Sequence, residues 1–284
     1  MQAGFIGLGA MGANMARNVA KTGLLKAVWN RTAIVAETLS KELKVNHAAT
    51  PSELANQVDV VLTCVSTDDD LLTVIEAMLT GLRSNSIVID HSTVSAETAR
   101  KVAAIVKGSG AEFLDAPVSG GVEGAKNGTL AIMVGGPIES LNQAKAVLEA
   151  MSSRIVHMGD VGAGQATKSI NQIMCAGINQ AVTEALAFGA TQGVNLEKAI
   201  DIISQGAAGN WFLDKRGLTM VNGVFTPGFK LALHQKDLKI CLDMAEKLGV
   251  NLPITQITSQ EYAQLIQQGF GDEDISALYR LKRK

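Results

Sequence analysis

The stretch AGFIGLGAMGANMARNVAKTG leaves its fold little freedom. Residues 3–6 form a short apolar run, Gly7, Gly9 and Gly12 follow at GxGxxG spacing, and an amphipathic segment comes directly after. Met11, Met15 and Val19 recur every four residues, so that segment reads as a helix with one apolar face. Each glycine has its own use in a strand–turn–helix unit. Gly7 permits the tight turn out of the strand, Gly9 keeps side chains away from an approaching pyrophosphate, and Gly12 lets the helix pack closely on its strand. The helix N-terminus adds N–H groups and a partial positive charge, both suited to phosphate.

A strand feeding a helix needs neighbours of the same kind, and the sequence supplies them. KAVWN, VDVVLTCV, SIVIDHS, AEFLDAPV, TLAIMVGG and RIVHMGD read as further strands, with helical patterns at LLTVIEAML and SAETARKVAAIVKG. This alternation predicts an α/β Rossmann-type, doubly wound and mostly parallel sheet over residues 1–163. From Gly164 the texture changes. Residues 164–284 read as an all-α second domain, its helices separated by GVN, GNW, NGVFTPG, GVNLP and GFGD. Gln165 to Gln192 contains no proline. Gly177 allows a break into two helices, but one long interdomain helix is the expectation. With 47% hydrophobic and 18% charged residues, a chain of 284 can bury both cores.

A dinucleotide site of the NAD kind usually carries an acid about twenty residues beyond the loop, for the adenosine ribose hydroxyls. Here Asn30 follows Gly12 by eighteen positions, with Arg31 and Thr32 next. An amide there removes the charge that would repel a 2′-phosphate, and Arg31 and Thr32 can donate to it. Arg31 as a surface residue beside a Thr32 N-cap is the alternative. The expectation is NADP(H) preferred over NAD(H).

Other classes of function fit poorly. A net charge of −2 offers no general attraction to nucleic acid or an anionic membrane. No apolar run reaches the eighteen or so residues that would span a bilayer. Cys64, Cys175 and Cys241 are far apart without a CxxC pair, and His47, His91, His157 and His234 lack ligand spacing, so no metal is assigned. The N-terminus lacks the pattern of a signal peptide, and with reduced thiols this makes the cytoplasm the expected location.

Five segments, in order, resemble the β-hydroxyacid dehydrogenase family, whose members include 3-hydroxyisobutyrate dehydrogenases, tartronate semialdehyde reductases and glyoxylate/succinic semialdehyde reductases. GFIGLGAMG is similar to that family's cofactor loop, DHSTVS to its nicotinamide-side loop, and FLDAPVSGGVEGAKNGTL to its substrate loop. GAGQATKSINQ resembles the start of its catalytic helix and HQKDL its second lysine segment. The resemblance implies a reductase of small semialdehydes or the corresponding hydroxy acid dehydrogenase. Gly7, Leu8, Gly9, Ala10, Met11 and Gly12 would hold the cofactor, with Asn30, Arg31, Thr32, Val65, Ser66, Thr93 and Lys236.

Taken alone, Ser119, Gly120 and Gly121 make either an ordinary turn or a small anion-binding concavity; the resemblance assigns them the substrate carboxylate. Lys168, Asn171 and Gln172 share a helical stripe with Asn179 and Thr183. A polar stripe on an otherwise apolar helix either faces solvent or lines a polar site. By resemblance Lys168 is the catalytic acid and base, its pKa lowered by burial and by a cationic ring, and Asn171 orients substrate. Gln172 stands where many members have a second asparagine, so its contact with substrate is open. Asp237 orients its helix. Trp211 and Phe212 are either core or the aromatic wall of the substrate pocket. Within the same class, an NAD-linked 3-hydroxyisobutyrate or serine dehydrogenase is the alternative; outside it, a non-catalytic cofactor-binding scaffold. The long helix and the surface of the second domain suggest a homodimer or homotetramer.

Overall fold

The computed structural model describes residues 1–283. It divides into two compact units, Met1–Lys168 and Ser169–Lys284. The first holds a nine-stranded sheet. Strands β1 (Ala3–Ile6), β2 (Leu25–Trp29), β3 (Asn46–His47), β4 (Val60–Thr63), β5 (Ile87–Asp90) and β6 (Glu112–Asp115) run parallel in the order β3-β2-β1-β4-β5-β6. Strands β7 (Val118–Ser119), β8 (Leu130–Gly135) and β9 (Ser152–Gly159) extend it, β8 antiparallel to β6 and β7 and parallel to β9.

Alternation along the strands decides which layer each side chain joins. Phe5, Leu62, Ile87 and Ile89 pack on one face with helices α1 (Gly12–Lys21) and α2 (Ala33–Leu43). Ile6, Val61 and Val88 face the other way, against α3 (Pro51–Asn56), α4 (Asp68–Met78) and α5 (Ala96–Lys107). Helices α6 (Gly121–Asn127) and α7 (Ile138–Glu149) complete the first layer. Because both faces are covered, the central strands are apolar throughout, as parallel strands must be. Starts are set locally: Thr50, Thr67 and Ser95 each accept from the N–H three residues on, opening α3, α4 and α5.

The doubly wound parallel sheet anticipated from the alternation is present, and its chain order reverses between β1 and β4, where open α/β sheets bind their ligands. AEFLDAPV, read as one strand, is broken into β6 and β7, because Pro117 has no N–H for a continuous ladder. The short β3, which is exposed, carries no alternation to announce it.

Helix α8 (Ala163–Thr191) is continuous through Gly177. Its 29 residues span about 44 Å at helical rise. The second unit adds α9 (Leu196–Ser204), α10 (Trp211–Val221), α11 (Leu231–Leu248), α12 (Pro253–Gln267) and the short α13 (Tyr279–Lys282). Among the described residues it contains no strand, only an isolated bridge between Lys230 and Asp274. Its core gathers Ala176 and Leu186 from α8, Ile200, Phe212, Leu238 and Tyr262.

Candidate active site

The glycine loop closes over the end of β1. Gly7 has a φ of +90°, which a side chain would strain. A Cβ on Gly12 would overlap the Gly7 carbonyl oxygen, so α1 can start this close only with glycine there. A Cβ on Gly9 would meet nothing within 4 Å. That glycine answers no internal packing need; its bareness leaves the exposed backbone open to a ligand, which is how a pyrophosphate cradle is built. Leu8 points inward and is buried, while Ala10 is exposed and Met11 half-buried.

Asn30, at the end of β2, turns toward this loop. Its Oδ1 accepts from Leu8 N–H at 2.9 Å and its Nδ2 donates to the Thr32 carbonyl at 3.2 Å. A carboxylate could make the first bond but not the second, so the amide ties the loop and the β2–α2 turn together. Arg31 is 81% exposed and lies 2.6 Å from Asp70 on α4. Thr32 occupies the N-cap position of α2 without a side-chain cap bond.

At the ends of β4 and β5 the main chain hangs on one carboxylate. Asp90 Oδ1 accepts from Thr63 Oγ1 at 2.7 Å, from Ser92 Oγ at 2.6 Å and from Ser92 N–H at 3.2 Å. Ser92 Oγ in turn accepts from Val65 N–H at 2.8 Å. Val65, the exposed Ser66 and the half-buried Thr93 thus stand together at the reversal point. His91 Nδ1 donates to the Ala116 carbonyl at 2.7 Å, and burial lowers the imidazole pKa to about 4.

The start of α8 is pinned to the same region. Asp115, fully buried at the end of β6, accepts from the N–H groups of Gly162 (2.7 Å) and Gln165 (2.8 Å). Burial pushes its carboxyl above the ordinary range while these donors pull the other way. Gln165 donates from Nε2 to the Ser92 carbonyl at 2.8 Å. One turn on, Lys168 is 8% exposed and its Nζ donates to the Val118 carbonyl at 2.8 Å. Val118 precedes Ser119, so the lysine and the Ser119–Gly121 turn are brought together. Gly120 and Gly121 have φ of +130° and +62°, an arrangement that exposes successive main-chain N–H groups.

In the second unit a separate polar group forms. Asn171 Nδ2 donates to Gln172 Oε1 at 2.7 Å, Gln172 Nε2 donates to Asp237 Oδ2 at 2.6 Å, and Asp237 Oδ1 pairs with Lys236 Nζ at 2.8 Å. Phe212 lies in the helical core. Trp211 is 62% exposed, with the Arg216 guanidinium 5.3 Å above its ring. Sequence reasoning passed over Asp90, Asp115, Gln165 and Asp70. Asp90 and Asp115 each end an apolar strand run, a position where an acid needs a reason, and that signal was available.

A glycine-loop cradle at the reversal point of a doubly wound sheet defines a dinucleotide-binding protein. A model of the NAD binding domain of 6-phosphogluconate dehydrogenase matches residues 2–159, and one for the NAD-binding region of NADP-dependent 3-hydroxyisobutyrate dehydrogenase matches residues 162–282. The chain is 39% identical to an uncharacterised oxidoreductase of Shewanella frigidimarina, covering 98% of this chain and 97% of that one. It is 34% identical to the 2-hydroxy-3-oxopropionate reductase of Escherichia coli, covering 98% and 96%. The solved Mycobacterium tuberculosis 3-hydroxyisobutyrate dehydrogenase with L-serine superposes with a TM-score of 0.91 at 32% identity, covering 100% of both chains. The protein belongs to the β-hydroxyacid dehydrogenase family and is an NAD(P)-binding oxidoreductase of the 3-hydroxyisobutyrate dehydrogenase type. No helix among the described residues is long and apolar enough to cross a membrane.

The buried Asp90 sets a pH dependence of stability. Burial raises its pKa from 3.8 to about 6, so the folded state holds its proton where an unfolded chain would release it. Stability should therefore fall as pH rises from about 4 to about 6, by roughly 3 kcal/mol at most. Asp90→Asn keeps the Oδ1 acceptor and cannot ionise. Urea unfolding across this range should lose that part of its pH slope in the variant; an unchanged slope would place the titration elsewhere.

Proposed function

We propose that the protein is an NADP(H)-preferring reductase of small 3-oxo or 2-oxo acids, such as tartronate semialdehyde, succinic semialdehyde, glyoxylate or the semialdehyde related to 3-hydroxyisobutyrate, reversible toward the hydroxy acid. The observation that carries this reading is Lys168: a buried lysine on a pinned helix start, beside the turn that would take a carboxylate. The nicotinamide ring, when bound, supplies or accepts the hydride. Lys168 handles the proton. Its ammonium donates to the substrate carbonyl oxygen and gives up the proton as the alcohol forms; in oxidation the neutral amine takes it back. Ser119 and the main chain of Gly120 and Gly121 hold the acid group, and Asn171 orients the substrate. The loop Gly7–Gly12 holds the pyrophosphate, Val65, Ser66 and Thr93 line the nicotinamide side, and Lys236 reaches the cofactor or substrate. Trp211 is the candidate wall of the substrate pocket; burial of Phe212 in the helical core favours packing as its role. Cys64, Cys175 and Cys241 form no CxxC pair, which accords with the cytoplasm.

Cofactor choice turns on Arg31. Its ion pair with Asp70 favours the NAD-linked alternative, because the guanidinium is engaged. The pair is exposed, however, and such pairs are worth about 0–1 kcal/mol. A 2′-phosphate dianion with bidentate geometry outcompetes it. The neutral Asn30 supports the same choice.

The exposed apolar side chains of α8, Ile170, Met174 and Phe188, are each at least 60% exposed. We assign that face to a second copy of the chain, in a homodimer or homotetramer, since an exposed apolar row on a long helix is best covered by another apolar surface. Light scattering after size exclusion should give a mass of at least twice 29.8 kDa; a monomer sinks the assignment.

Lys168→Met should lower turnover at least a hundredfold while the dissociation constant for NADPH, read by cofactor fluorescence, stays within about threefold. A variant keeping more than a tenth of wild-type turnover would remove Lys168 from the chemistry. Arg31→Ala should raise the KM for NADPH about tenfold or more and leave that for NADH nearly unchanged; equal shifts, or a wild type that uses NADH better, would overturn the preference.

A further inference from the structure

We propose that Gln172 and Asp237 are positioning residues that hold the amide of Asn171 with its carbonyl oxygen outward, so that the site selects 3-oxo acids carrying a hydrogen-bond donor at C2. This rests on the reading of Asn171 as a substrate contact.

The polarity of the chain starts at Asp237. Its carboxylate, 4% exposed and ion-paired through Oδ1 with Lys236, has only acceptors to offer. At 2.6 Å from Oδ2, Gln172 must therefore present its Nε2. A primary amide donates on one side and accepts on the other. Gln172, itself 2% exposed, is left to turn Oε1 toward Asn171, and the 2.7 Å bond from Asn171 Nδ2 answers it. The same nitrogen lies 3.6 Å from Cys175 Sγ, which takes its second hydrogen. Asn171 then has one atom left, Oδ1, and no group among the described residues donates to it. Turning any one amide over would set oxygen against oxygen inside a buried chain, so the polarity holds as a unit.

An outward carbonyl oxygen has a definite chemistry. It repels a carboxylate, in keeping with the acid group lying at Ser119, Gly120 and Gly121. It has no use for the reacting oxygen in reduction, which is itself an acceptor. It fits a hydroxyl or amine hydrogen elsewhere on a short acid, and in a 3-oxo acid the position available is the substituent on C2. A methyl in that place leaves Oδ1 facing an apolar group, the kind of loss that lets a polar site reject an analogue. Gln172 spans from Asn171 to Asp237 through the two ends of one amide.

The test uses a matched pair, 2-hydroxy-3-oxopropionate and 2-methyl-3-oxopropionate, which differ only by hydroxyl or methyl at C2. In both, hydride and a proton add across the C3 carbonyl to give the primary alcohol. Wild-type kcat/KM should favour the hydroxy acid by about tenfold or more. Gln172→Leu should bring the ratio near unity. Asp237→Asn should do the same by another route: with Lys236 still on Oδ1, the new Nδ2 faces Gln172 and turns both amides over. Losses in cofactor or acid-group binding are shared by the two substrates and cancel in the ratio. Variants that lower both rates and keep the ratio would make the chain merely structural, and a wild type without preference would overturn the proposal outright. Calorimetry of the two products, 2,3-dihydroxypropionate and 3-hydroxy-2-methylpropionate, with the NADP+-saturated wild type separates this from the parent reading. Preference without turnover sinks the proposed reaction alone; equal binding sinks the selection at C2.

Discussion

The start of α8, and with it the placing of Gln165 and Lys168, depends on the carboxylate of Asp115. It ends β6 inside the protein and receives two main-chain N–H groups from the turn that opens α8. Those groups are orphans at any helix start and carry its partial positive charge, so a buried acid and a buried helix end neutralise each other. Gly135 and Gly164 crowd the carboxylate so closely that a Cβ on either would collide with it. With the helix start fixed, Gln165 reaches the Ser92 carbonyl and Lys168 reaches that of Val118. A lysine with four flexible bonds is thereby held beside the Ser119 turn.

Asp90 repeats the device one strand away. It gathers the hydroxyls of Thr63 and Ser92, and through Ser92 the N–H of Val65. Two buried acids at adjacent strand ends thus hold the loops that the ligand would meet. Burying them opposes folding to some degree, and the hydrogen bonds offset part of that cost. Asn30 does comparable work at the glycine loop without a charge.

Helix α8 buries a polar stripe beside its apolar core residues Ala176, Val182 and Leu186. Its polar stripe is inside: Asn179 donates to Tyr262 Oη and the Ile275 carbonyl, and Thr183 bonds back to the main chain. Its apolar Ile170 and Met174 are outside. Periodicity alone could have gone either way, since a stripe of amides and a stripe of aliphatics are equally regular. Burial went to the side where donors find acceptors: Asn179 Nδ2 is bonded twice, although its buried Oδ1 meets no donor among the described residues.

The glycine spacing, the alternation of strands and helices, and the loss of strands after Gly164 were legible because each follows from local sterics or from a period of two or 3.6 residues. So was Lys168 as a singular residue, through its place on that stripe and through family resemblance. The amino-acid sequence by itself determined a doubly wound sheet with a phosphate-binding loop, an uncharged residue where a ribose acid usually stands, and an all-helical unit behind it. It could not show that Asn30 braces the loop, that Arg31 is already paired with Asp70, or that Asp115 and Asp90 hold the strand ends. Nor could it show which way the amide of Asn171 points. Those depend on contacts between residues from 22 to 65 positions apart, and only the tertiary structure decides which donors meet which acceptors when water is excluded.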